Sequence, residues 1–169
     1  GKVFRPEFLA FEKAWRRDEW NHYLGFRKIY AALYDETEDS VATRIAARET
    51  DFTPIASFLE DEFAILLLIA YDEIATTRSY REDYDMYRGF GPRFLEWIKR
   101  VAHDEALHFR NCLEAIRICH SERIPEIPEI LERFMKWDLS GEKYKGTFVL
   151  DHEGSYFTPE FLRECTERT

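Results

Sequence analysis

Glycine and proline are scarce in this 169-residue chain, with seven and six residues respectively. So few breakers leave long uninterrupted runs of helical period and argue against an assembly of short strands. Period-two alternation is missing except over residues 146–150. No run of 18 apolar residues is present, and no segment reads as a signal peptide, so a soluble, cytoplasmic protein without membrane contact is expected. The three cysteines lack metal-finger spacing. Cys112 and Cys119 fall on an apolar face and are expected to be reduced packing residues. Positive charge is in deficit, with a net charge of −9, which argues against nucleic acid and anionic membranes as partners.

What is present is a single domain's worth of chain, rich in aromatics at 16%. The breakers divide it into predicted helices over residues 6–34, up to about 49, 54–87 and 92–121, then a short one from Pro125 to about Ser140-Gly141. The tail over 142–169 is expected to be irregular and peripheral, with a last helical turn after Pro159.

Two predicted helices carry the same pattern. Asp18-Glu19-Trp20-Asn21-His22 and Asp104-Glu105-Ala106-Leu107-His108 are both Asp-Glu-x-x-His. Glu and His three residues apart share a helix face, so both can reach one metal ion. With 22 Glu and 5 His, chance supplies roughly 0.65 Glu-x-x-His matches; requiring Asp before the Glu lowers that to about 0.04, and the chain has two.

The stripes around the motifs decide what the pairs are for. Phe8, Trp15, Glu19, His22, Phe26, Ile29 and Leu33 fall on one stripe. Phe94, Ile98, Val101, Glu105, His108, Cys112, Ala115 and Cys119 form another. Both motifs therefore face the core. An ionised Glu in an apolar core is costly unless something neutralises it, and a metal ion does so. The alternative is two core pairs satisfied by ordinary hydrogen bonds.

A third stripe runs through Phe58, Glu62, Ile65, Ile69, Glu73, Thr76, Tyr80 and Tyr84 on a nearly all-apolar helix. Glu73 is its polar intruder and reads as a bridging ligand. Asp72 is turned about 100° away, and Glu62 lies about 16 Å along the axis, too far to share the same metals. Glu62 is expected at a helix end or channel mouth.

At these residues the chain resembles the ferritin-like di-iron carboxylate oxidases, most closely the soluble acyl-carrier-protein desaturases. That family's three motifs are matched by Trp15-Arg16-Arg17-Asp18-Glu19-Trp20-Asn21-His22, by Glu73-Ile74-Ala75-Thr76 and by Asp104-Glu105-Ala106-Leu107-His108. The resemblance covers roughly residues 10–140 and implies an all-α ferritin-like bundle. It implies that Glu19 and Glu105 bridge or chelate, that His22 and His108 each cap one iron, and that Glu73 is a terminal carboxylate. Asp18 and Asp104 would hold the histidine rings. Thr76 would stand beside the oxygen pocket and deliver a proton; the alternative is a helix hydroxyl bonded back to its own backbone.

The implied activity is O2-dependent oxidation of an organic substrate by two iron ions, with manganese as the alternative metal. An external electron donor such as an electron-transfer protein would serve it. A small-molecule or carrier-bound acyl substrate is expected, and a homodimer is compatible with the reading. Desaturation leads; hydroxylation or N-oxygenation of another small molecule follows. Ferritin-like iron storage and a non-catalytic relict are the remaining classes.

Two departures accompany the resemblance. The family's sixth ligand comes from a helix whose expected position falls before Gly1, so five ligands and an open side are expected, beside a groove of exposed apolar surface between the first and third stripes. An acidic carrier would also need a basic face, which only Arg78, Arg81, Arg88, Arg93, Lys99 and Arg100 could assemble.

Overall fold

The apolar run from Phe63 to Tyr71 sets the architecture. Phe63, Leu66, Leu67, Leu68, Ala70 and Tyr71 are all essentially without solvent contact. A helix apolar on every side must be enclosed by other elements. In this computed structural model, which describes residues 4–49, 52–138 and 158–169, the enclosing elements are all helical.

The described residues form α1 (Pro6–Leu33), α2 (Glu38–Ala46), α3 (Glu62–Glu82), α4 (Tyr84–Arg88), α5 (Pro92–Cys119), α6 (Ile127–Asp138) and α7 (Pro159–Thr166). Single 3-10 stretches occupy Thr53–Phe58 and Ser121–Glu126. No strand occurs among the described residues, so the fold class is all-α. No described helix is long and apolar enough to cross a membrane. The possible strand over 146–150 and the expected helix end at Ser140-Gly141 lie outside the described residues.

Helix α3 packs most extensively on α5 and also meets α6 and α7. Helix α1 runs along α5 and reaches α3 through long side chains. Arg5, Trp15 and Phe26 meet Glu62, Glu73 and Tyr80 in that order, so α1 and α3 are parallel. Arg5, His22 and Phe26 meet Cys119, Asp104 and Trp97, so α1 and α5 are antiparallel.

Three sequence expectations change. The helix predicted over 54–87 is interrupted. Asp61 caps α3, its carboxylate accepting the Ala64 N–H at 2.9 Å, and a 3-10 stretch precedes it. An Asp that satisfies an orphan N–H begins a helix better than it continues one. Leu33 is 54% exposed, because α1 has outrun the core by its last turn. The tail is not wholly peripheral. Phe161, Leu162 and Cys165 of α7 enter the same apolar cluster as Leu67 and Phe134. Arg78 ties α7 down, with its guanidinium 4.3 Å from the Phe161 ring centroid and 2.7 Å from Glu164.

Two glycines have distinct uses. Gly91 adopts φ 103°, where only glycine is unstrained, and Pro92 then starts α5. Gly25 admits the indole of Trp97, since a Cβ there would lie 2.2 Å from the ring. Phe26 and Phe94 flank that indole, so it has little room to retreat. Gly25→Ala is therefore expected to destabilise the fold by about 1–2 kcal/mol, because overpacking outweighs alanine's helix propensity. Chemical denaturation checks this, and equal or greater stability would contradict the close approach.

Candidate metal centre

The antiparallel α1 and α5 bring their motifs face to face, and α3 supplies Glu73 from the side. One ligand atom from each of Glu19, Glu73, Glu105 and His108 lies within 4.8 Å of the others. His22 joins them, its Nδ1 3.4 Å from Glu105 Oε1 and 3.6 Å from Glu19 Oε1. His108 Nδ1 lies 3.1 Å from Glu105 Oε2 and 3.4 Å from both Glu19 Oε1 and Glu73 Oε1. Atoms bound about 2.1 Å from one metal stand roughly 3.0–3.4 Å apart along the edges of its coordination shell. The five-residue set fits that spacing.

The cluster has two halves. Glu105 spans them, presenting Oε1 to His22 and Oε2 to His108. Glu73 faces His108, its Oε1 3.4 Å from Nδ1. Glu19 faces both histidines through one oxygen.

The two aspartates cross over. Asp104 Oδ2 is 3.3 Å from His22 Nε2, and Asp18 Oδ2 is 3.5 Å from His108 Nε2. Asp104 thus backs His22 with a hydrogen bond, turning its Nδ1 inward, while Asp18 stands near His108 Nε2, which is buried without a hydrogen-bond partner among the described residues. Thr76 is half-buried one turn after Glu73, and among the described residues its hydroxyl makes no hydrogen bond to the cluster. Glu62 sits at the far end of the bundle, as its spacing predicts, 3.4 Å from His120 and accepting the Arg5 N–H at the start of α1.

Trp15 is a contact that the motif reading missed. Its indole N–H donates to Glu73 Oε1 at 2.6 Å and orients that carboxylate. The signal was its place four residues before Glu19 on the same stripe. Tyr80 was also passed over as a packing residue. Burial, with the Glu105, Tyr87, Glu19 and Glu73 charges, pushes its phenol well above the ordinary value, so it stands within the cluster's field.

Electrostatics show how unusual the grouping is without a cation. Burial opposes charge on His22, yet Glu105 and Glu19 outweigh it and raise its pKa to about 10. His108 is likewise disfavoured by burial but pushed up to about 12 by Glu105, Glu19 and Glu73. Burial lifts Glu73 to about 8, against His108 and with Glu105 and Glu19. Burial would also raise Glu105, but His108 and His22 hold it down near 2. Glu19 Oε1 and His22 Nδ1 are buried without a hydrogen-bond partner among the described residues. Buried orphans facing one another are what cation ligands become once the ion is removed, so the residues present fit a metal centre.

The outer face of α1 carries a shallow groove lined by Leu9, Ala10, Ala14, Trp20, Tyr23 and Glu19. Its lining also includes Glu12, Lys13, Arg16 and Arg17 and no residue of α3, so it is not the groove expected between the first and third stripes. Glu19 is the cluster's exposed edge, its side chain 37% accessible against 4–9% for the other four.

Comparison with known proteins returns no match among family models, curated proteins or solved structures.

Two outcomes are expected. At pH 7 the metal-free cluster holds protons on His22, His108 and Glu73, all with pKa values above 7. Coordination needs the lone pairs, so binding must release about three protons, and apparent affinity for the ion pair should fall at least about a hundredfold per pH unit from pH 8 to 6. Calorimetry in buffers of different ionisation heat counts these protons; release of none would contradict the grouping. Asp104→Asn should weaken metal binding about 10- to 100-fold with helix content unchanged. Full affinity in that variant would show that the crossed contact does not support His22.

Proposed function

We propose that this chain is a ferritin-like, carboxylate-bridged dinuclear metal protein that uses O2 to oxidise a small organic substrate. The observation that carries the reading is Glu105, whose two oxygens face two opposed histidines at 3.4 and 3.1 Å. A single-ion site has no use for that span; a two-ion site needs it. Glu73, Glu105, Glu19 and His108 would hold one ion, and His22, Glu105 and Glu19 the other. Iron suits this mixture of carboxylate and imidazole, with manganese the next candidate. Bound iron would supply the electrons that activate O2, a chemistry that no side chain here can provide.

The chain's own residues support such chemistry in definable ways. Trp15 holds Glu73 in a terminal orientation through its indole N–H. Asp104 keeps the His22 imidazole turned inward, and Asp18 stands 3.5 Å from His108 Nε2. The apolar wall from Leu66 to Ala70 keeps water from the Glu73 side, so the carboxylates keep a strong field. Thr76, one turn from Glu73, would be the hydroxyl that passes a proton toward it.

The two halves differ by one carboxylate, so ferrous ions should bind with unequal affinity, more tightly on the His108 side. Protein from iron-replete growth is expected to hold up to two irons per chain. Glu105→Ala should lose both while far-UV circular dichroism is retained. His22→Ala should lose only the weaker ion. Oxygen uptake by the ferrous protein, followed optically, separates catalysis from storage: an oxidase returns to the ferrous state with a reductant and turns over, whereas a storage protein accumulates ferric mineral. Unchanged iron content in Glu105→Ala would overturn the assignment.

A further inference from the structure

A cleft of about 670 Å³ opens between α1, α2, α4 and the start of α5. That volume lies within the range of small-molecule sites. Its floor is aromatic and aliphatic, including Phe26, Ile29, Val41 and Phe94. Its polar groups are mostly cationic, namely Arg27, Arg44 and Arg48, with Tyr23 and Tyr30 beside them.

The cleft leads toward the metal centre. Phe26 lies one turn after His22 on α1, about 6 Å along the axis. It stacks on Tyr80 at 6.0 Å and packs edge-on against Trp97 at 4.8 Å. Tyr23, directly after His22 in the chain, lines the cleft as well. One aromatic layer therefore separates the cleft floor from the Glu and His cluster.

The arginines are only partly used. Arg44 gives one nitrogen to Glu36, at 2.9 and 3.1 Å from its two oxygens, and Arg27 gives one nitrogen to Glu38 at 3.1 Å. A guanidinium has five N–H donors, so each retains capacity. The Nε of Arg27 is buried with no hydrogen-bond partner among the described residues, which costs free energy until an acceptor arrives. Arg27 and Arg44 face this rim on a chain of net charge −9.

We propose that this cleft binds the substrate, and that the substrate is a small apolar carboxylic acid whose body lies toward Phe26 and whose carboxylate is taken by Arg27 and Arg44. The proposal rests on the oxidative reading only in calling the occupant a substrate. The acid is free and not carrier-bound, because a thioester has no carboxylate for Arg27 and Arg44 to take.

The test uses octanoate and 1-octanol, equal in chain length and different in charge, titrated calorimetrically into the full chain with and without iron. Octanoate is expected to bind once per chain and octanol at least tenfold more weakly. Arg44→Gln should weaken octanoate about tenfold and leave octanol within twofold. Ile45→Trp and Leu33→Trp fill the cleft from partly exposed positions and spare the core, so each should abolish octanoate binding with helix content and iron content unchanged. Iron-loaded protein that fails to bind octanoate, or binds octanol equally well, would overturn the proposal, as would unaltered octanoate binding in both tryptophan variants. Failure of the metal reading registers separately, as absence of iron in a protein whose octanoate binding is still measured.

Discussion

Burial of acid inside an apolar helix is the constraint on which the rest of the structure depends. Glu73 interrupts a stretch of α3 in which every neighbour from Leu66 to Ala75 except Asp72 is apolar or aromatic. A carboxylate there is stable only if neutralised, by a proton, a cationic side chain or a metal. Two imidazoles and two further carboxylates gather around it, so three acids share two basic side chains. Without a cation the cluster keeps itself near neutrality by holding protons on His22, His108 and Glu73. Those protons occupy the positions that a divalent ion would take.

Helix register follows from that need. Parallel α1 and α3, both antiparallel to α5, let one Glu-x-x-His from each outer helix meet Glu73 at a single level. Gly25 draws α1 onto Trp97 one turn beyond His22, which sets the distance between the two motif helices where it matters. The crossed pairs of Asp104 with His22 and Asp18 with His108 exist only if the motifs lie level and antiparallel. A shift of one turn would move these contacts by about 5 Å and strand all four groups.

The parts legible in the sequence are those written in a single helical period. The α5 stripe from Ile98 to Cys112 is buried at its predicted positions, because one amphipathic helix determines its own inward face. Glu73 stood out because it is alone among apolar neighbours. What was not legible depends on distance between elements. Trp15 looked like packing until α3 placed Glu73 within reach of its indole. Leu33 matched the α1 stripe, yet the period carries no information on where the neighbouring helices stop. The break before α3 was written in Asp61, but an Asp between Glu60 and Glu62 reads equally well as helix surface until its carboxylate is seen on the Ala64 N–H. The packing of α7 on α3 is a contact over some 85 residues that no local pattern encodes.

The asymmetry of the cluster links its chemistry to its surroundings. The His108 half is closed by α3 and carries the extra carboxylate, while Glu19, the cluster residue with substantial exposure, faces both histidines. In the proposed dinuclear centre, the half with the extra carboxylate would hold its ion more tightly. The aromatic floor of the cleft adjoins the His22 side, through Tyr23 and Phe26 on the same helix. The less tightly held ion would therefore lie nearest the route by which an organic molecule would approach. The proposed oxidase would have use for that arrangement, one ion keeping the site assembled beside the other. A centre built only to store metal gains nothing from an aromatic cleft beside its weaker ion.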